Sequence, residues 1–223
     1  MISGKSCTLN MWRGLPERIA SEGFHVLTFD NRDMGLSQKF PEVDCVTELA
    51  KQREGKPYVY PYTLNDMSDD AIQVLDEHKI ASAHVLGASL GGLIGQIVAC
   101  RHGDRVLSLT TLHSAVDINH WAGQGFAASV DYFMKILTSP SPSAGMSLEE
   151  ILENRLAVWS VLLTDAAHPE LSEEERALLL LEMTLDYQRG GVDYGDLGGM
   201  RQMLATSAWV DLFLSDHKAA LAG

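Results

Sequence analysis

Apolar positions along the first half of the chain alternate between two spacings. Leu15, Ile19 and Ala20 form a helical stripe within roughly residues 11–22, which Gly23 ends. Phe24-His25-Val26-Leu27-Thr28-Phe29 is a compact run of strand composition, followed by the turn-rich residues Asp30 to Gly35. A long polar connection then passes through Lys56-Pro57 and Tyr60-Pro61. Thr63 is placed to cap a helix over 64–78, in which Met67, Ala71, Val74 and Leu75 recur at helical spacing. A strand over 83–87, a helix over 90–100 and a strand over 106–112 complete this half. Short apolar runs alternating with helical patterns predict βαβ units and a parallel sheet.

Beyond Ser114 the β-branched runs vanish. Helical patterns are expected over 125–137, 148–163 and 172–187, punctuated by Pro140, Pro142 and the Gly190-Gly191 and Gly198-Gly199 pairs. The run Leu178 to Leu181 reads as a buried helix face, and the acidic stretch Glu170 to Glu175 as a helix start, where negative charge suits the macrodipole.

Composition narrows the class. The 223 residues suffice for one domain with a core, and 46% hydrophobic with 21% charged residues matches a soluble globular chain. A net charge of −13 makes nucleic acid and anionic membranes repulsive partners. Cys7, Cys45 and Cys100 are scattered without CxxC spacing, and no histidine pair has metal-ligand spacing. No disulfide framework, metal site or cofactor is therefore expected. The first ten residues lack a signal pattern, and no apolar run approaches the roughly 20 residues that span a bilayer. A cytoplasmic protein is the resulting expectation.

The chemistry concentrates in Gly87-Ala88-Ser89-Leu90-Gly91, a G-x-S-x-G pattern between an expected strand and an expected helix. A serine on such a sharp turn is pushed into the open, and glycines flank it because strand and helix pack too closely for side chains. The Leu90 N–H, at the helix N-terminus, can stabilise an oxyanion. A structural serine in a Gly-rich turn is the competing reading. The absence of Gly-Lys-Ser/Thr and of GxGxxG argues against nucleotide binding.

Phe29-Asp30-Asn31-Arg32-Asp33-Met34-Gly35-Leu36-Ser37 is similar to the D-x-R-x-x-G-x-S stretch of α/β-hydrolases. With Asn10-Met11-Trp12 it resembles bacterial carboxylesterases related to aclacinomycin methylesterase. The resemblance implies an α/β fold of α/β-hydrolase type, with a mostly parallel sheet, incomplete here, and a helical lid or cap insertion. It divides the chain into a core with the nucleophile elbow over 1–116, a lid over 117–205 and a short tail over 206–223. It implies that Arg32 and Asp33 support the loop beneath the site. Ile2-Ser3-Gly4-Lys5 resembles the H-G-x oxyanion loop, with Ser3 where many relatives carry His, which makes the Lys5 N–H the second oxyanion donor.

Relatives carry the catalytic acid and histidine on strands after the lid, and residues 208–223 match neither pattern. A serine still needs a base. His113, at the end of the 106–112 strand, forms one candidate pair with Asp117, against the alternative of an ordinary polar strand exit. His120 shares that loop, and His217 comes late beside Asp216 but in no matching context. Trp121, Phe126, Tyr132, Phe133, Met134, Trp159 and Met183 read mainly as helix packing, with one or two lining a pocket.

The leading expectation is a serine hydrolase acting on a small neutral carboxylic ester through an acyl-Ser89 intermediate. Two alternatives stand beside it: a non-catalytic binding module, and a shortened form of a longer esterase lacking its Asp and His. A homo-oligomer lending a histidine in trans is also compatible with the sequence.

Overall fold

The computed structural model describes residues 1–114, 147, 150, 172–179, 201–202 and 204–206. At its centre are β1 (Ala83–Ala88), α4 (Leu90–Arg101) and β2 (Val106–Leu112), a βαβ unit whose strands run parallel with Val85 opposite Leu109 and Ala88 opposite Leu112. Ile2 lies on the other side of β1, bridging Gly87 and Phe29 in parallel. The Ile2 N–H donates to the Leu86 carbonyl at 2.8 Å, and the Ala88 N–H donates to the Ile2 carbonyl at 3.1 Å. The spatial order is therefore Phe29, Ile2, β1, β2.

Helix α4 packs its apolar face on this sheet, burying Leu90, Ile94, Ile97 and Val98. Helix α3 (Leu64–Glu77) lies against it and buries Leu64, Met67 and Ile72, with Ala71 and Leu75 half-buried. Thr63 caps α3: its side chain accepts from the Asp66 N–H, while the Asp66 carboxylate accepts from the Thr63 N–H. Both halves of a capping box are thus present.

Leu178, expected in a buried helix face, is exposed, and three segments of the first half also differ from the sequence expectation. The helix expected over 11–22 is split into a 3-10 turn, Leu9–Trp12, and α1 (Leu15–Ser21), with Arg13 between them at φ 47°. Pro16 explains the break. It lacks an N–H and its ring would collide with the carbonyl four residues back, whereas a first helical turn accommodates it. The strand expected over 24–29 enters the ladder only at Phe29, which bridges Ile2, while the Leu27 carbonyl accepts from the Met1 ammonium at 2.7 Å. An apolar cavity of about 470 Å³ lies between this segment and β1, bordered by Phe24, Leu27, Val85, Ile72 and Leu75. Inside the expected polar connection stands a further helix, α2 (Cys45–Arg53), capped by the Asp44 side chain. Its buried apolar stripe, Cys45 and Leu49, is too narrow to register as periodicity.

From the far end of the described chain, residues 201–206 return to the core. Leu204 packs with Cys45 and Leu49, while Ala205 joins the main cluster under the sheet. No described helix is long and apolar enough to cross a membrane.

Candidate active site at the β1–α4 turn

The turn between β1 and α4 holds Ser89 at φ 51° and ψ −118°, a conformation that side chains other than glycine rarely adopt. Its N–H donates to the Leu112 carbonyl at 2.8 Å, which ties the turn to the end of β2. The Ser89 side chain is exposed. Leu90 opens α4, so its N–H belongs to the first turn, which has no carbonyl one turn back to pair with. Crowding accounts for the glycines. A Cβ on Gly87 would lie 2.1 Å from the Gly91 carbonyl oxygen, and one on Gly91 would lie 2.0 Å from that of Ile2.

The Ile2–Cys7 segment runs alongside the turn. A Cβ on Gly4 would sit 3.5 Å from the Ser89 Cβ and 3.4 Å from the Ala88 carbonyl oxygen, so the backbone leading into Lys5 passes within van der Waals reach of Ser89. This segment is tied on several sides. Trp12 Nε1 donates to Ser3 Oγ at 3.1 Å, and Asn31 Nδ2 donates to the Ser3 carbonyl at 2.9 Å. Burial pushes the Cys7 thiol up to about 11, against the opposing pull of the Lys5 charge. Cys7 is therefore protonated at neutral pH and does not compete as a nucleophile.

Arg32 and Asp33 follow Asn31 in the chain and are held by partners farther along it. Arg32 makes a bidentate pair with Asp70, at 2.7 Å on both arms, and its guanidinium stacks over the rings of Phe40 and Tyr62. Burial alone would lower the Arg32 pKa; the bonds to Asp70 and the charges around it raise it instead. Asp33 is fully buried. It accepts from the Phe40 N–H at 2.9 Å, the Tyr62 hydroxyl at 2.7 Å and Arg201 Nε at 2.8 Å. Burial, then the negative charge of Asp33, holds Tyr62 protonated as a donor.

His113 follows β2 directly, exposed and at φ 49°, one residue past the carbonyl that holds Ser89. Among the described residues no hydrogen bond joins its ring to the Ser89 hydroxyl. Asp117, His120, Asp216 and His217 lie outside the described residues, as do the aromatic and methionine positions proposed for the lid. Among the described residues no cluster of His, Cys, Asp and Glu could hold a metal ion. The large apolar cavity is bordered by neither Ser89 nor His113, so the elbow geometry rather than concavity locates this site.

Sequence reasoning missed Asn31, Tyr62, Arg201 and Gln202. Tyr62 is 29 residues from Asp33, and Arg201 is 168 residues away, so no local spacing connects them.

The sequence profile described as "alpha/beta hydrolase fold" matches residues 3–149. The chain is 28% identical over 193 residues to the rhodomycin D methylesterases of Streptomyces sp. (strain C5) and Streptomyces peucetius, covering 81% of this chain and 59% of each relative. It therefore spans less than two thirds of the length of those relatives. Among solved structures, a hydrolase from Pseudomonas aeruginosa PA01 superposes with a TM-score of 0.56 at 21% identity, covering 92% of this chain and 62% of that one.

Proposed function

The chain belongs to the α/β-hydrolase fold family, and from that premise we propose that Ser89 is the nucleophile of a carboxylic-ester hydrolase. The observation that carries this reading is the exposed Ser89 held at φ 51° on the strand-to-helix turn, with the N-terminus of α4 behind it. Strain of this kind persists where the surrounding structure enforces it, and here it presents an oxygen rather than burying one.

In the proposed reaction, a base takes the Ser89 proton as Oγ attacks the ester carbonyl. The tetrahedral oxyanion accepts hydrogen bonds from the N–H groups of Leu90 and Lys5. Collapse expels the alcohol, which takes up the proton, and leaves an acyl-Ser89 that water then hydrolyses. His113 is the candidate base, with Asp117, outside the described residues, as its candidate acid, and Arg32 and Asp33 act as supports of the loop. The names of the methylesterase relatives support an ester over an amide. No cofactor enters this scheme.

The test is labelling of the purified chain by a fluorophosphonate, read by intact mass, beside Ser89→Ala. One adduct per chain, lost in the variant, is expected, and His113→Ala then asks whether that histidine is the base. A folded wild-type chain that takes up no label would sink the catalytic reading and leave a binding module or a shortened enzyme.

A further inference from the structure

Gln202 is fully buried, and both ends of its amide are engaged. Its Oε1 accepts from the Ser6 N–H at 3.0 Å, and its Nε2 donates to the Arg32 carbonyl at 3.1 Å. One side chain thus bridges two loops that the chain places 196 and 170 residues away from it. The loop it holds at Ser6 is the one whose Gly4 lies against Ser89. Ser6 itself sits at φ 58°, a left-handed conformation that a non-glycine residue keeps only where its surroundings enforce it.

The residues around Gln202 are buried and bonded. The preceding residue, Arg201, is ion-paired at 2.8 Å with Asp33, and both side chains are buried. Leu204 and Ala205 are fully buried in the core, and Thr206 Oγ1 donates to the Gln202 carbonyl at 2.8 Å. Asp33 also accepts from the Phe40 N–H and the Tyr62 hydroxyl, so Arg201, beside Gln202, meets a carboxylate bonded on several sides.

We propose that Gln202 is a positioning residue, which sets the Gly4–Ser6 backbone against Ser89 so that the second oxyanion donor meets the tetrahedral intermediate. This rests on the reading of Ser89 as nucleophile. Oxyanion donors act through fixed placement, and a displacement of about 1 Å can cost on the order of 100-fold in rate. Gln202 touches neither substrate nor reacting atoms in this role. Its loss therefore lowers the rate of bond formation while leaving probe binding in place.

Two measurements on the full chain test it, each comparing wild type with Gln202→Met, a variant of similar volume without hydrogen bonds. The first is the kinetics of fluorophosphonate labelling. The maximal rate constant is expected to fall by about tenfold or more, with the half-saturating probe concentration within about twofold of wild type. The second is amide hydrogen exchange over the peptide containing residues 4–6, which should accelerate in the variant. A variant that melts cooperatively and labels at the wild-type maximal rate overturns the proposal, as does unchanged exchange at 4–6. If Gln202→Met does not fold, Gln202→Glu, whose carboxyl can both accept from the Ser6 N–H and donate to the Arg32 carbonyl only when protonated, is expected to label closer to wild type at about pH 5.5 than at about pH 8; a rate ratio to wild type that does not change with pH in a folded protein overturns the proposal. If the wild type takes no label, the Ser89 reading fails, and the exchange comparison still decides whether Gln202 holds the loop.

Discussion

Ser89 occupies a backbone conformation, φ 51° and ψ −118°, that glycine adopts without cost and serine does not. Strain of this type costs on the order of 1–3 kcal/mol, partly offset on substitution by the greater freedom of glycine in the unfolded chain. Ser89→Gly is therefore expected to raise the unfolding free energy by about 1 kcal/mol, whereas Ser89→Ala should stay within about 0.5 kcal/mol of wild type. Urea titrations of the three proteins check this, and a Gly variant less stable than the Ala variant would contradict it. The residue was legible in the sequence because its signal is local. Gly87 and Gly91 are needed where a Cβ would meet backbone at about 2 Å, and both fall within two positions of Ser89. Asn31, buried and bonded to the Ser3 carbonyl, carried no such mark, since its partner lies 28 residues back.

Among the elements, α3 shows how far local rules reach. Its N-terminus was readable from Thr63, and the structure adds the reciprocal bonds with Asp66. Burial pushes the Asp66 carboxyl upward, but the bonds from Thr63 and the Arg32 charge outweigh it and hold the carboxyl below its usual value. A carboxylate depressed on folding contributes stability that is fully present above its ordinary range near pH 4 and is lost as pH falls through its lower folded value. Thr63→Ala is accordingly expected to cost about 1 kcal/mol at pH 7, with the gap to wild type narrowing below about pH 4. Urea midpoints at pH 7, 5 and 3 measure this, and a gap independent of pH would show that the Asp66 charge takes no part. Two elements were misread for physical reasons. The α2 stripe of Cys45 and Leu49 is covered by Leu204, with Val43 and Tyr58 beside it, and the 24–29 run joins the ladder only at Phe29, where it bridges Ile2.

Across the whole molecule, the ion pair of Asp33 with Arg201 joins the two ends of the described chain in a site where the side chains are 0% and 3% exposed. Removing one member of a buried pair leaves the other charge without compensation, at a cost of about 3–5 kcal/mol. Asp33→Ala is expected to lose that much, since the Tyr62 hydroxyl and the Phe40 N–H lose their acceptor too. Asp33→Asn keeps an acceptor and tolerates the φ of 69° at this position, so it should lose less. Equilibrium unfolding of both variants decides the matter; a loss under about 1 kcal/mol in the Ala variant would mean that the pair does not hold the ends together.

What the sequence determined by itself is whatever depends on neighbours a few positions apart: the parallel βαβ unit, the glycine-flanked turn that exposes Ser89, and the cap of α3. The cap closes within one turn of chain, while the unit and the turn leave their mark in local patterns, alternating apolar spacings and closely set glycines. The tertiary structure decided which distant groups meet. It set Ile2 between Phe29 and β1, Arg201 on Asp33, and Gln202 across Ser6 and Arg32. Such bonds close loops of well over a hundred residues in the case of 201 and 202, and a partner at that separation leaves no periodicity in the chain to read.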